Sequence, residues 1–143
     1  MAWEESFNEK IGKSLFRKEL LSEPETGMLV RLVRYPAGVI NPSHTHPCGH
    51  GMYVLQGNLV THKGTFGPGS FVWFPEGEVM EHGASPEADV VVVFITNKPF
   101  RIDYAEGGQA RTLRRHAFGV YLPLLVDIKI TPAHAEGVSA KRR

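Results

Sequence analysis

Short apolar runs broken by proline and glycine recur from Met28 to Thr96, and this rhythm constrains the fold more than any other feature of the 143 residues. The runs Met28–Tyr35, Gly51–Gln56, Leu59–Lys63, Ser70–Phe74 and Val90–Thr96 are rich in Val, Phe, Tyr and Leu, which predicts strands. Leu15–Leu21 reads as an earlier strand. The breaks have mechanisms. Tyr35-Pro36-Ala37-Gly38 ends one strand because proline cannot donate to a ladder. Gln56-Gly57-Asn58 predicts a tight hairpin, since Gly and Asn tolerate positive φ. Gly67-Pro68-Gly69 predicts a sharp turn into Ser70–Phe74, and Pro75-Glu76-Gly77 closes that strand. Many short strands between turn signals predict an all-β sandwich or barrel.

The length fits one domain with a core that needs no staples. A net charge of +1 gives no general nucleic-acid or membrane surface, and Lys141-Arg142-Arg143 reads as a solvated tail. A single cysteine, Cys48, rules out an intramolecular disulfide, and with no charged-then-apolar leader at Met1–Glu5 the expected location is cytoplasmic. The longest apolar run, Val90–Ile95, is too short to span a bilayer and suits a buried strand. Beyond Arg101 the pattern weakens. Gln109–Phe118 is compatible with a short helix bearing Arg111, Arg114 and Arg115; Tyr121–Ile130 is apolar and suited to packing on the barrel or a second subunit; the last ten residues are expected to be mobile. The expected division is an N-terminal segment 1–27 with one strand, a barrel core 28–100 and a C-terminal extension 101–143.

Three of the seven histidines fall within "HTHPCGH", residues 44–50. In an extended segment His44 and His46 point to one face. Pro47-Cys48-Gly49 lets the chain bend so that His50 rejoins them. Three converging imidazoles would repel as cations, whereas a divalent metal binds them neutral. The spacing H-x-H-x3-H at the entry to a strand therefore predicts a metal site for Fe, Mn, Ni, Cu or Zn. His82, after Phe74–Glu81, is a fourth candidate whose case depends on a wider motif.

That motif resembles the two signatures of the cupin superfamily. Gly38-x5-His44-x-His46-x3-His50-x6-Gly57 is similar to G-x5-H-x-H-x3-E-x6-G, and Gly69-x5-Pro75-x-Gly77 followed by His82 is similar to G-x5-P-x-G-x2-H. The resemblance covers about residues 28–98. It implies a small jelly-roll β-barrel with a metal inside, held by His44, His46, His50 and His82. Two positions depart from the family pattern. His50 replaces the usual glutamate, so the ligand set carries one more unit of positive charge and favours anionic ligands. His82 lies two residues late, with Met80 in the expected slot; because two is the side-chain period of a strand, both share one face.

Tyr53, Trp73, Met80 and Phe94 are the residues expected to line a substrate pocket, with core packing as the alternative for each. Cys48 is open to three readings: a ligand, a redox-sensitive thiol, or a loop residue of no consequence. Glu76, Glu78 and Glu81 crowd the approach to His82; one of them holding a ligand imidazole's second N–H and all three being solvated are equally compatible with the sequence. Cupins of this shape are often dioxygenases acting on enolised diketones, flavonols or other oxygenated organics. The resemblance thus implies a metal-dependent oxygenase of dioxygenase type. A redox-neutral isomerase or lyase, and a metal-containing binding or sensory cupin, are the alternatives. A small-molecule substrate and a homodimer are the expected partners, the dimer because edge strands need covering.

Overall fold

The computed structural model describes residues 2–105. The readings of Gln109–Phe118, Tyr121–Ile130 and the C-terminal tail lie outside the described residues. Among these residues the chain forms eleven strands and no helix: β1 (Glu4–Asn8), β2 (Lys13–Ser22), β3 (Leu29–Tyr35), β4 (Ile40–Thr45), β5 (His50–Gln56), β6 (Leu59–Thr61), β7 (Gly64–Phe66), β8 (Phe71–Phe74), β9 (Met80–Ala84), β10 (Val90–Thr96) and β11 (Asp103–Tyr104). They make two antiparallel sheets, one ordered β1-β2-β3-β10-β5-β8 and the other β11-β4-β9-β6-β7. The all-β, two-sheet architecture is the fold class that the sequence predicts.

Period-two alternation sets the faces. In β10, Val90, Val92, Phe94 and Thr96 are buried, and they pair across β3 and β5 with other inward residues: Val92 opposes Val33 and Val54, and Phe94 opposes Arg31 and Met52. The opposite face of the same strand is also apolar (Val91, Val93, Ile95), so the strand reads as continuous rather than alternating. The core between the sheets joins Val33, Tyr35, Met52, Val54, Val72, Phe74, Val92 and Phe94 to Leu59, Met80 and Ala84 of the other sheet.

Two details differ from the sequence expectation. The N-terminal segment holds two strands, β1 and β2, and both join the sheet of β3. The hairpin expected at Gln56-Gly57-Asn58 does not form. β5 pairs with β10 and β8, whereas β6 pairs with β7 and β9, so this turn carries the chain from one sheet to the other. Gly57 is still required there. Its φ is 75°, and a Cβ would collide with the Asp89 carbonyl oxygen.

Candidate metal centre

Three elements deliver the imidazoles. His44 lies near the end of β4, His46 just beyond it, and His82 at the middle of β9. In β9, Met80, His82 and Ala84 all face the core, as strand parity requires. The pairing of β4 with β9 passes from Asn41↔His82 to His44↔Met80, so β4 carries an extra residue at a bulge around Pro42. Proline has no N–H to lose from the ladder there, and the bulge restores His44 to the inward face. His50 opens β5 on the facing sheet, opposite Phe74 and Thr96.

Three of the four histidines predicted from the sequence, His44, His46 and His82, therefore meet, and His50 packs beside them. All are at most 2% exposed. One ring nitrogen each of His44, His46 and His82 lies within 4.8 Å of the others, a buried cluster that can hold a metal ion. His50 stands beside this group: its ring centre is 4.8 Å from that of His46 and 5.9 Å from that of His82. Nε2 of His44 and Nε2 of His82 are 3.2 Å apart. Two imidazoles bound to one ion at about 2.0–2.1 Å bring their nitrogens to a similar separation.

The other ring nitrogens show how the lone pairs are aimed. Nδ1–H of His44 donates to the Pro42 carbonyl and Nδ1–H of His46 to the Arg101 carbonyl, each at 2.6 Å. Carbonyls accept only, so both rings carry their proton on Nδ1 and keep a bare Nε2. Nδ1 of His82 is 3.2 Å from the Tyr35 hydroxyl. The Nε2 of His46 and both nitrogens of His50 are buried with no hydrogen-bond partner among the described residues. Burying a polar nitrogen without a partner costs about 1–3 kcal/mol. The unpartnered Nε2 of His46, within 4.8 Å of a ring nitrogen each of His44 and His82, is the pattern that a bound cation relieves, so these residues fit a metal ion.

Burial keeps the nest uncharged. Desolvation, reinforced by the neighbouring imidazoles, lowers the pKa of His50 to about 2, and desolvation lowers that of His44 to about 4. His46 and His82 shift the same way for the same first reason. Burial pushes the Tyr35 phenol up, so it remains protonated beside His82. His50 stacks on Phe74, with centroids 4.7 Å apart and planes at 12°, and Phe94 covers it from 4.8 Å.

A cavity of about 380 Å³ reaches His46 and His82. Leu15, Val33, Phe94 and Phe100 supply its apolar wall, and Arg31, Tyr35, Asn41 and Tyr104 its polar groups. Of the residues expected to line a pocket, Phe94 does. Met80 is packed in the core instead, and Tyr53 and Trp73 lie on the outer face of the six-stranded sheet, where Trp73 is 42% exposed. The parity that sends Met52 and His50 inward sends Tyr53 outward. Cys48 is fully buried and lies outside the histidine group, which leaves it a loop thiol rather than a member of the cluster. None of the three glutamates holds a ligand imidazole: Glu81 accepts from Ser43, Glu78 pairs with Lys63 and His62, and Glu76 pairs with Lys98. Glu81 alternates with Met80 and His82 and so faces away from them. Backbone carbonyls and Tyr35 take that part. Tyr35 and Arg31 share the inward parity of Val33, but β3 is apolar on both faces, so the sequence alone does not say which face is inner.

The comparisons agree with this geometry. The family described as the ChrR cupin-like domain matches residues 2–101. Among solved structures, a cupin-like protein from Thermotoga maritima superposes with a TM-score of 0.58 at 22% identity, covering 64% of this chain and 76% of that one. A chain in the structure of Rhodobacter sphaeroides SigE in complex with the anti-sigma ChrR gives 0.55 at 21% identity, covering 66% of this chain but 49% of that one. A putative dioxygenase from Nostoc punctiforme gives 0.60 at 15% identity, covering 66% and 34% respectively. No curated protein sequence matches. Two antiparallel sheets, a histidine nest between them and a family match over residues 2–101 together place this chain in the ChrR cupin-like domain family of the cupin superfamily.

Proposed function

We propose that the protein is a metal-dependent oxygenase of dioxygenase type acting on a small oxygenated organic molecule. One observation carries this reading: His46 and His82 stand on the wall of a cavity of about 380 Å³ instead of being sealed on all sides. Structural metal sites are closed by their ligands, whereas catalytic ones keep a position open to a pocket. A transition ion in such a nest supplies Lewis acidity and, for iron or manganese, one-electron chemistry with O2.

The chain's own residues do the rest. The Pro42 and Arg101 carbonyls fix the tautomers of His44 and His46. Leu15, Val33, Phe94 and Phe100 exclude water from the pocket and fit a carbon skeleton. Tyr35 lies within reach of both His82 and the cavity, with its proton retained. Glu9 is the sole carboxylate among the described lining residues, so the pocket suits molecules that ionise readily by themselves, such as enolised diketones and catechols. Oxygen uptake by Fe- or Mn-loaded protein with a panel of these compounds is the test. At least one is turned over, and His82→Ala abolishes it.

A sensory reading is favoured by the family's ChrR description and by the likeness to a chain of the SigE–ChrR complex. In it the same nest and cavity report a bound metal or small molecule to a protein partner. Tight ligand binding without turnover for any metal selects this reading over the oxygenase. The homodimer belongs to the same proposal, and a monomer mass by light scattering at micromolar concentration would remove it.

A further inference from the structure

Two guanidinium groups also line the cavity, and they differ in what holds them. Arg17 is occupied: its Nη2 donates to Ser6 Oγ at 2.9 Å and lies 3.7 Å from the Glu4 carboxylate. Arg31 is not. It projects inward from β3 on the parity of Val33 and Tyr35, with its guanidinium 5.0 Å from the centre of the Phe94 ring and 4.6 Å from that of Phe100. Among the described residues it forms no ion pair, and its buried Nε has no hydrogen-bond partner. Phe94 is the common neighbour of Arg31, His46 and His50, so the free cation and the imidazole nest flank one ring.

A partly buried guanidinium with no ion pair among the described residues and an unpartnered Nε lowers stability, and the cation–π contacts and the more distant Glu19 and Glu4 offset only part of that cost. A ligand that brings the counter-ion removes the conflict. The surrounding charge points the same way: the nest contains no carboxylate, and Lys10, Arg17 and Arg31 on the cavity wall outnumber its one carboxylate, Glu9. The planar fork of a guanidinium matches the two oxygens of a carboxylate, whereas a phosphate dianion gathers several donors and Arg17 is already engaged.

We infer that Arg31 anchors the substrate by its carboxylate, so that the ligand of this cavity is a small organic acid whose oxygenated end faces His46 and His82. This rests on the reading of the cavity as a substrate site, and it narrows that reading to carboxylic acids.

The test is equilibrium binding by titration calorimetry, on the protein as purified and again after metal removal. Benzoate, salicylate, lactate and pyruvate are each compared with the corresponding amide, and inorganic phosphate is run beside them. At least one carboxylate is expected to bind about 10-fold or more tighter than its amide. Arg31→Met should abolish the preference and Arg31→Lys should keep part of it. Arg31→Met should also raise the thermal midpoint of the ligand-free protein, where a purely structural arginine would lower it. Equal binding of acid and amide, no binding by any carboxylate, a preference that survives Arg31→Met, or tighter binding of phosphate than of every carboxylate would each overturn the inference. Because the metal-free arm does not depend on turnover, a surviving carboxylate preference without oxygen uptake would remove the oxygenase reading and leave the anchor in place.

Discussion

β4 and β9 of the five-stranded sheet aim imidazoles with irregular backbone: a bulge at Pro42, a strand end at Thr45, and a glycine, Gly83, that lets β9 lie against the Val39 carbonyl. β3, β10 and β5 of the facing sheet are longer and present mostly apolar inward rows, with Arg31, His50 and Thr96 among the polar exceptions. The hydrogen bonding differs as well. His44 and His46 are tied by carbonyls and His82 meets Tyr35, whereas His50 and the Nε of Arg31 have no partner among the described residues. One sheet orients ligands in advance. The other supplies an apolar platform carrying two polar groups, His50 and the Nε of Arg31, without hydrogen-bond partners among the described residues.

This contrast can be broken from either side. The largest effect is expected in the platform. Phe74 is fully buried beneath His50, and Phe74→Ala should cost about 3–5 kcal/mol of unfolding free energy in urea titrations. A loss below 1 kcal/mol would mean that the six-stranded sheet is not a tightly packed wall. On the aiming sheet, His82→Ala should weaken metal binding by more than the roughly 100-fold upper end for losing an outer hydrogen bond, measured as metal retained per chain after dialysis. Retention of a full equivalent would detach β9 from the site.

A pH series sharpens the comparison in metal-stripped protein. The folded pKa of His44 is lowered to about 4 and that of His50 to about 2, below the ordinary value of about 6.5 in the unfolded chain. Above pH 6.5 neither state binds these protons and stability is unaffected. As pH falls below that, the unfolded chain takes up protons that the folded chain refuses. Stability then drops by up to about 1.4 kcal/mol per pH unit for each such histidine, and the His44 contribution levels off near pH 4. Urea midpoints that stay level between pH 7.5 and 5 would show that the rings are hydrated. Tyr35→Phe tests the tie to His82 alone: metal affinity should fall about 10-fold with the fold intact. The smallest change is expected outside both sheets, at the half-exposed Lys98–Glu76 pair. Lys98→Ala there should shift stability by less than about 1 kcal/mol.

Much of the platform was legible because its signal is local. Val90–Thr96 has the composition of a buried strand and is one, and period-two parity carried His82 to the correct face although it departs from the family spacing. Two members of the imidazole cluster, His44 and His46, were legible for the same reason, since they lie close in sequence, whereas His82 had to be brought to them by strand parity. What failed or was absent depends on chain segments far apart. The Gly57 turn looks like a hairpin until Asp89 is seen to occupy the space beside it. The partners of His44 and His46 are backbone carbonyls, which leave no residue-type signature. Arg31 and Trp73 sit in strands apolar on both faces, so the pattern could not decide which faced the pocket and which faced outward.

The central claim is that the buried imidazoles of His44, His46 and His82 surround one cation. X-ray absorption of the zinc-loaded protein addresses it directly. The expected result is one zinc per chain with imidazole nitrogens at about 2.0–2.1 Å. Failure to take up zinc, or a sulfur neighbour at about 2.3 Å from Cys48, would contradict it.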